Sequence, residues 1–371
     1  MIPHLQLMLK PASGMCNLRC RYCFYADEAS KRSVANYGIM SLNTAESIIK
    51  KALANAKFEC TFAFQGGEPT LAGLSFFRTF VDLVNQHNIN HRTVHYVLQT
   101  NGTLLNDEWA DFFYQNHFLI GVSLDGTKDL HDSNRIDANG NGTHTQVLRS
   151  IKLLERHQVN TNILTVLTSD NCRRFQKIYS FYAKHGWKYQ QYIPCLDPLG
   201  EPRGKNPWSL SPERFETYLK AAFDCWYKDA ISGQKIYHRF FDNLLLLLDG
   251  QVPEACGMNG RCGIQYVIEA DGSVYPCDFY MLDEHCLGNL NTNSFEELDE
   301  SRKQLGFIGQ SIPPASECTH CRWYTLCRGG CRRDRDYFAE GIHLNFYCSA
   351  YKVFFEYAYP RLIQLYQYLT S

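Results

Sequence analysis

Between residues 5 and 196, short runs of apolar, branched and aromatic residues alternate with longer segments whose apolar positions recur every three or four residues. LQLMLK (5–10), TFAFQ (61–65), VHYVLQ (94–99), FLIGVSL (118–124), NILTVL (162–167) and YQQYIP (189–194) have the composition of strands. NTAESIIKKALANA (43–56), LSFFRTFVDLVNQ (74–86), NDEWADFFYQ (106–115), TQVLRSIKLLERH (145–157) and CRRFQKIYSFYAKH (172–185) have helical spacing. Asn43, with Glu46 three residues on, reads as an N-cap pair, and Thr143 and Ser169 as openings of later helices. Six such alternations predict an α/β fold whose parallel sheet is covered by helices, either open and doubly wound or most of a barrel. In both architectures the loops after the strands surround one site. A break falls at DPLGEPRGKNPWSLSP (197–212), where four prolines stand among turn formers. The expected division is residues 1–200 as the β/α part, 201–250 as a helical linker, and 251–371 as a Cys-rich domain. That domain ends in FYCSAYKVFFEYAYPRLIQLYQYL, helical on both sides of Pro360.

Composition narrows the classes of function. Of 371 residues, 45% are hydrophobic and 20% charged, which is ordinary for a folded globular chain. Lys and Arg total 37 against 38 Asp and Glu, so the chain lacks the positive field of a nucleic-acid binder. RRDRD at 332–336 is a mixed-charge face, solvated or paired. The longest aliphatic run, Leu244 to Leu248, is far short of the ~20 residues of a membrane helix. MIPHLQLMLKPASG lacks the pattern of a secretory signal. The expectation is a cytoplasmic protein with neither nucleic acid nor membrane as partner. In a reducing compartment, 16 cysteines point to metal or redox chemistry rather than to disulfides. Five of them, Cys60, Cys172, Cys195, Cys225 and Cys286, are scattered and read as small packed hydrophobes. The 23 Tyr and 23 Phe read as core and interface packing.

The other cysteines are clustered. Cys16-x3-Cys20-x2-Cys23 lies on the loop after the first strand. A structural zinc ion takes four ligands, so zinc here needs one from elsewhere. A 4Fe-4S cluster on three thiolates keeps one iron open to bind a small molecule. Spacing favours the cluster and leaves zinc and three incidental thiols as alternatives.

CNLRCRYCFY, together with QGGEPTL at 65–71, resembles the signature of the radical S-adenosylmethionine (SAM) enzymes. The resemblance implies that Cys16, Cys20 and Cys23 hold a cluster whose open iron chelates SAM. It also implies that Gly66 and Gly67 let backbone approach the methionine end, although Gly-Gly before Glu-Pro is otherwise an ordinary loop. SLDGTKDLHDSNR (123–135) is similar to the segment after the fourth strand in that family. There Ser123 would hydrogen-bond and Arg135 would pair with the SAM carboxylate, where the bland reading is a turn serine and a solvated arginine. The backbone of Tyr22 and Leu196 would touch the adenosine.

Cys256, Cys262-x9-Gly272-x4-Cys277, Cys318-x2-Cys321-x5-Cys327-x3-Cys331 and Cys348 resemble the SPASM extension of some radical SAM enzymes. The family's interleaving assigns Cys256, Cys262, Cys277 and Cys331 to one auxiliary 4Fe-4S cluster, and Cys318, Cys321, Cys327 and Cys348 to the other. The bland alternative is a pair of four-thiolate zinc sites. The implied fold is a partial (β/α)6 TIM-like barrel with a C-terminal SPASM domain.

Within that group, CNLRCRYCFYADE, QGGEPTL, SLDG and YPCDFY are similar to the anaerobic sulfatase-maturating enzymes. That similarity implies oxidation of a cysteine or serine in a Cys/Ser-x-Pro-x-Arg motif to Cα-formylglycine, with three 4Fe-4S clusters and SAM. It implies an unfolded or nascent sulfatase peptide as partner and an electron donor such as flavodoxin or ferredoxin. Asp278, directly after Cys277, would be the proton acceptor, where the bland reading is a carboxylate capping backbone N–H groups. Gln65 and Tyr25 would contact the peptide. Two other readings stay open: a SPASM enzyme that crosslinks peptides, and a zinc-stabilised adaptor or electron carrier. Crosslinking enzymes often carry an N-terminal peptide-recognition domain, for which the short segment before Cys16 leaves no room.

Overall fold

The computed structural model describes residues 1–312, 316–335 and 344–370. The chain runs through β1 (Ile2–Leu9), α1 (Phe24–Ser30), α2 (Leu42–Asn55), β2 (Ala56–Phe64), α3 (Leu74–His87), β3 (Thr93–Thr100), α4 (Asp107–Gln115) and β4 (Leu119–Ser123). It continues with α5 (Lys128–Asp132), α6 (His144–Arg156), β5 (Asn160–Leu167), α7 (Ser169–Arg173), α8 (Phe175–His185) and β6 (Tyr189–Pro194). Next come α9 (Pro212–Ile231), β7 (Tyr237–His238), α10 (Arg239–Leu248), β8 (Tyr266–Ile268), β9 (Ser273–Tyr275), β10 (Gly288–Asn289) and α11 (Phe295–Leu305). The chain ends with α12 (Ser316–Thr319), α13 (Tyr324–Cys327) and α14 (Cys348–Thr370), whose interior holds Pro360.

All six strands expected from the apolar runs form. The helix ends differ in informative ways. The cap of α2 is Ser41, whose hydroxyl accepts the Thr44 N–H at 3.1 Å, so Asn43 already lies inside the helix and Glu46 pairs with Lys50 and His87. Thr168 rather than Ser169 caps α7. Thr143 does stand before α6, but its hydroxyl donates to the Arg135 carbonyl at 3.0 Å instead of capping the helix. The segment 172–185 is two helices broken at Arg174, whose φ and ψ of −111° and 22° are not helical.

Two compact units arise, neither continuous in sequence: residues 1–123, 135–161 and 264–307, and residues 124–134, 162–263 and 308–371. They cut across the expected boundaries at 200 and 250. In the first unit β1 to β4 are parallel and in sequence order, and β8 adds to the free edge of β1 with Leu7 beside Tyr266 and Leu9 beside Ile268. The antiparallel β9 and β10 extend that edge. This pairing explains why 264–307 leaves the Cys-rich segment and folds with the first strand. The core is aromatic: Phe64 meets Phe77 and Phe80, each at 5.0 Å, and Tyr96 stacks on Phe118 at 4.9 Å. Such pairs add about 1 kcal/mol each beyond the area they bury.

In the second unit β5, β6 and β7 are parallel. Helices α9, α10 and α14 share a core in which Phe223 touches Phe241 at 5.5 Å and Phe354 at 5.8 Å. Of the scattered cysteines Cys60, Cys172 and Cys195 are buried, whereas Cys225 is half-buried and Cys286 exposed, so the last is no packed hydrophobe. In the 332–336 segment Arg333 and Arg335 are buried and Asp334 pairs with Arg203 at 3.3 Å, while Asp336 lies outside the described residues. Among the described residues no helix is long and apolar enough to cross a membrane.

Candidate active site

The strand order of the first unit brings three loops together. After β1 the chain turns through Lys10 to Ser13 and carries Cys16, Cys20 and Cys23, the last standing at the start of α1. The Leu18 N–H points at Cys16 Sγ (3.4 Å), and the Asn101 amide lies 3.9 Å from it. Burial raises the Cys16 thiol, and the nearby Glu68 and Cys23 raise it further. The loop after β2 lies directly against this one. A Cβ on Gly67 would stand 2.0 Å from the Met15 oxygen, so only glycine fits, and Gly66 has a φ of +134° open to glycine alone. Gly67 and Glu68 donate their N–H groups to Ser13 and Met15 at 3.0 and 2.7 Å.

Glu68, passed over in the sequence, is the tie between loops. Its buried carboxylate accepts from Thr70 Oγ1 and Thr100 Oγ1, each at 2.7 Å, and from the N–H groups of Thr70 at 3.1 Å and Asn101 at 2.7 Å. Burial raises its carboxyl, and these four bonds work against that.

Ser123 ends β4 and accepts from the Gln99 amide at 3.1 Å. Arg135 is buried rather than solvated, with its guanidinium 5.5 Å from the centre of the Tyr22 ring. The Cys loop is joined to this segment by Arg19 N–H to the Ile136 carbonyl at 2.7 Å and by a bridge between Leu18 and Asp137. Cys16, Cys20, Cys23, Tyr22, Gly66, Gly67, Ser123 and Arg135 thus all belong to the first unit. Leu196 belongs to the second, two residues beyond β6 and half-buried.

Asp278 follows β9, on the strand edge beside β1, and is nearly buried. The fully buried Lys10 Nζ donates to its Oδ1, and Gln65 Nε2 to its Oδ2 at 3.0 Å. Lys10 Nζ also lies 4.7 Å from the centre of the Tyr25 ring. The Tyr25 hydroxyl donates to Glu269 at 2.9 Å, and Glu269 accepts from Arg32 at 2.6 Å. Burial pushes the Tyr25 hydroxyl well up, with Glu269 adding to it. Two buried cations therefore face two carboxylates. Gln65 and Tyr25, which the resemblance implied as peptide contacts, both reach this network, whereas Lys10, Arg32 and Glu269 were missed. The signal for Lys10 was a charged residue closing an otherwise apolar strand run.

The resemblance assigned the C-terminal cysteines to two sets of four, and one of those sets lines a single pocket. Cys318, Cys321, Cys327 and Cys348 line one pocket with Trp323, Asn345 and Tyr351. Burial raises Cys327 to about 12, and the other three thiols push in the same direction. In the same unit Cys256 and Cys262 act on the half-buried Cys331, whose Cβ lies 3.3 Å from where Gly257 would carry one. Cys277 belongs to the first unit. Among the described residues no three His, Cys, Asp or Glu side chains close on a point as a single-ion site would need. The donors are all sulfur, which suits iron–sulfur clusters or zinc, and either would deprotonate the buried thiols on binding.

The model of the Radical SAM superfamily matches residues 11–182, and that of the SPASM iron-sulfur cluster-binding domain matches 256–322. The fold class read from the sequence, an α/β partial barrel followed by a SPASM domain, stands. A cysteine-type anaerobic sulfatase-maturating enzyme of Clostridium novyi is 47% identical over 353 residues, 95% of this chain and 94% of its own length. Another of that type, from Clostridium perfringens, is 46% identical over 98% of this chain and 99% of its own. A solved structure of native anSMEcpe with bound AdoMet and Cp18Cys peptide superposes with a TM-score of 0.94 at 46% identity, covering 99% of this chain and 100% of that one. The chain belongs to the anaerobic sulfatase-maturating family of radical SAM enzymes.

Proposed function

We propose that this chain oxidises one cysteine of a sulfatase, in a Cys-x-Pro-x-Arg segment, to Cα-formylglycine. The observation that carries the reading is the near full-length likeness to cysteine-type relatives, one of them with AdoMet and a cysteine peptide bound. The cofactors that accompany this assignment are SAM and three 4Fe-4S clusters. Cys16, Cys20 and Cys23 would hold the first cluster, with Gly66, Gly67, Tyr22, Ser123, Arg135 and Leu196 around SAM. Cys256, Cys262, Cys277 and Cys331 would hold one auxiliary cluster, and Cys318, Cys321, Cys327 and Cys348 the other. When bound, these groups supply a hydrogen-atom abstractor and a one-electron acceptor.

The chain's own residues do the rest. Oxidation of the cysteine side chain removes one hydrogen atom, one proton and one electron, leaving a thioaldehyde. Water then converts it to the aldehyde and releases hydrogen sulfide. Asp278 is the base for the proton: it is a carboxylate held by Lys10 and Gln65, nearly out of water, directly after a cluster cysteine. Proton and electron thus leave the substrate at neighbouring places. The Arg135 guanidinium offers a planar fork for the SAM carboxylate. In terms of function the chain divides into a SAM-binding part over 1–200, a helical connection over 201–250 and an auxiliary-cluster part over 251–371. The substrate is an unfolded or nascent sulfatase peptide in the cytoplasm, and a flavodoxin or ferredoxin supplies the first electron.

The test is anaerobic turnover of reconstituted protein with SAM, dithionite and a Cys-x-Pro-x-Arg peptide, read by mass spectrometry. Peptide aldehyde with stoichiometric 5'-deoxyadenosine is the expected result. SAM cleavage with an untouched peptide would sink the substrate assignment and leave a different peptide-modifying radical enzyme.

A further inference from the structure

Asn101 directly follows β3, in the run Thr100-Asn101-Gly102-Thr103, and is buried. Its backbone N–H donates to Glu68 Oε2 at 2.7 Å, so the glycine loop after β2 fixes its main chain. Gly102, with a φ of +74°, turns the chain so that Thr103 reaches the Asn101 side chain. Asn101 Oδ1 accepts the Thr103 N–H at 2.9 Å and the Thr103 hydroxyl at 2.7 Å. That hydroxyl accepts from Asn17 Nδ2 at 2.8 Å, and Asn17 Oδ1 accepts from Asn101 Nδ2 at 2.9 Å, which closes a ring of three side chains. A backbone N–H can only donate, so the ring decides which end of the Asn101 amide is oxygen. The nitrogen end therefore faces the Cys loop, where Nδ2 lies 3.9 Å from Cys16 Sγ. The Leu18 N–H lies 3.4 Å from the same sulfur. All of these residues belong to the first unit.

A thiol sulfur is a weak acceptor, and a sulfur that carries negative charge is a stronger one. A cluster gains negative charge when it takes an electron, so a donor fixed on one of its sulfurs stabilises the reduced form more than the oxidised form. Leu18 provides such a donor through its backbone, as almost any residue there would. Asn101 provides one through a side chain that the sequence specifies, and an amide does so without burying a charge that needs a partner. Thr103, Asn17 and Glu68 already hold that amide in place, so aiming it at the sulfur takes no further ordering.

We propose that Asn101 is a positioning residue for the first cluster, whose side-chain N–H donates to Cys16 Sγ and raises the reduction potential of that cluster. The one-electron donor then reduces it more readily. The inference rests on reading Cys16, Cys20 and Cys23 as the ligands of the first cluster.

The test is an anaerobic redox titration of the reconstituted protein followed by electron paramagnetic resonance. The first cluster is recognised as the signal that changes when SAM is added, because it has the open iron. Iron and acid-labile sulfide are counted alongside. Asn101→Leu has nearly the same shape without the donor. It is expected to keep its iron while the reduced-to-oxidised ratio of the first cluster at a fixed potential falls about tenfold, equivalent to ~59 mV for a one-electron couple, with the auxiliary clusters unmoved. Thr103→Val opens the same ring but leaves the Thr103 N–H on Asn101 Oδ1, so it should move the ratio far less. Full iron with an unmoved first-cluster potential in Asn101→Leu, or an equal shift in Thr103→Val, would overturn the proposal and leave the cluster reading intact. A parent protein with no SAM-responsive signal would overturn both. If Asn101→Leu fails to load the first cluster, Asn101→Gln, which keeps the amide, decides: loading with a near-parental potential supports the donor role, and failure or a lowered potential overturns it.

Discussion

The network around Asp278 and the turn that ends at Arg335 bury cations in different ways. Both bury arginine or lysine beside cysteines. Around Asp278 the charges balance within the polypeptide, Lys10 against Asp278 and Arg32 against Glu269. Around Arg335 the described partners are neutral: its Nε and Nη2 donate to the carbonyls of Cys331 and Ser311, while Asp334 is engaged by Arg203. In the first site side-chain carboxylates answer the cations, and in the second, among the described residues, backbone carbonyls do. A catalytic base needs a fixed geometry, which is served by prior assembly.

The sharpest way to break this contrast is to remove the first cluster alone. Replacing Cys16, Cys20 and Cys23 by Ala is expected to abolish SAM cleavage to below detection in a 5'-deoxyadenosine assay, while iron equivalent to the two auxiliary clusters remains. Loss of all iron would mean that the regions load as one unit.

A second comparison sets the two buried cations side by side in metal-free protein. Lys10→Met leaves Asp278 as a buried carboxylate with only Gln65 to hold it, and is expected to cost about 3–5 kcal/mol in denaturant unfolding. Arg335→Met removes a buried charge that has no carboxylate partner among the described residues, so it should cost clearly less. Equal losses in both variants would erase the distinction between a cation answered by a carboxylate and one held by carbonyls.

Asp278→Asn keeps the shape of the side chain and one acceptor oxygen but removes the base. Aldehyde formation is expected to fall by about 10²-fold, within the range that general-base removal gives. 5'-Deoxyadenosine should still form, which separates the proton step from hydrogen-atom removal. An unchanged aldehyde yield with intact clusters would move the base elsewhere.

The sequence was legible where chemistry repeats locally. The six strand runs, Cys16 to Cys23, QGGEPTL and the C-terminal spacings each lie within a few residues, so pattern alone locates them. What stayed hidden depends on pairings distant in sequence. Nothing near Lys10 announces Asp278, 268 residues on; only the addition of β8 to the edge of β1 brings them together. The same pairing moved 264–307 out of the Cys-rich segment and into the first unit. Glu68 was hidden for another reason: within a glycine motif it reads as a loop residue, and its four bonds come from Thr70 beside it and from Thr100 and Asn101 at the end of β3.

The smallest effect tests this limit at a single helix end. The pattern Asn43-x2-Glu46 has the spacing of a cap and its acidic partner, yet the cap lies two residues earlier, where Ser41 makes the bond to the Thr44 N–H. What decides is backbone conformation: Ser41 is extended, with φ −70° and ψ 151°, which aims its hydroxyl back at the first turn, while Asn43 is already helical. Ser41→Ala should therefore cost about 1 kcal/mol in thermal or denaturant unfolding. Asn43→Ala, at an exposed position inside the helix, should lie within a few tenths of zero or be slightly stabilising, because alanine is the better helix former. The reverse order would restore the cap that the sequence spacing implied and shift the start of α2 by two residues.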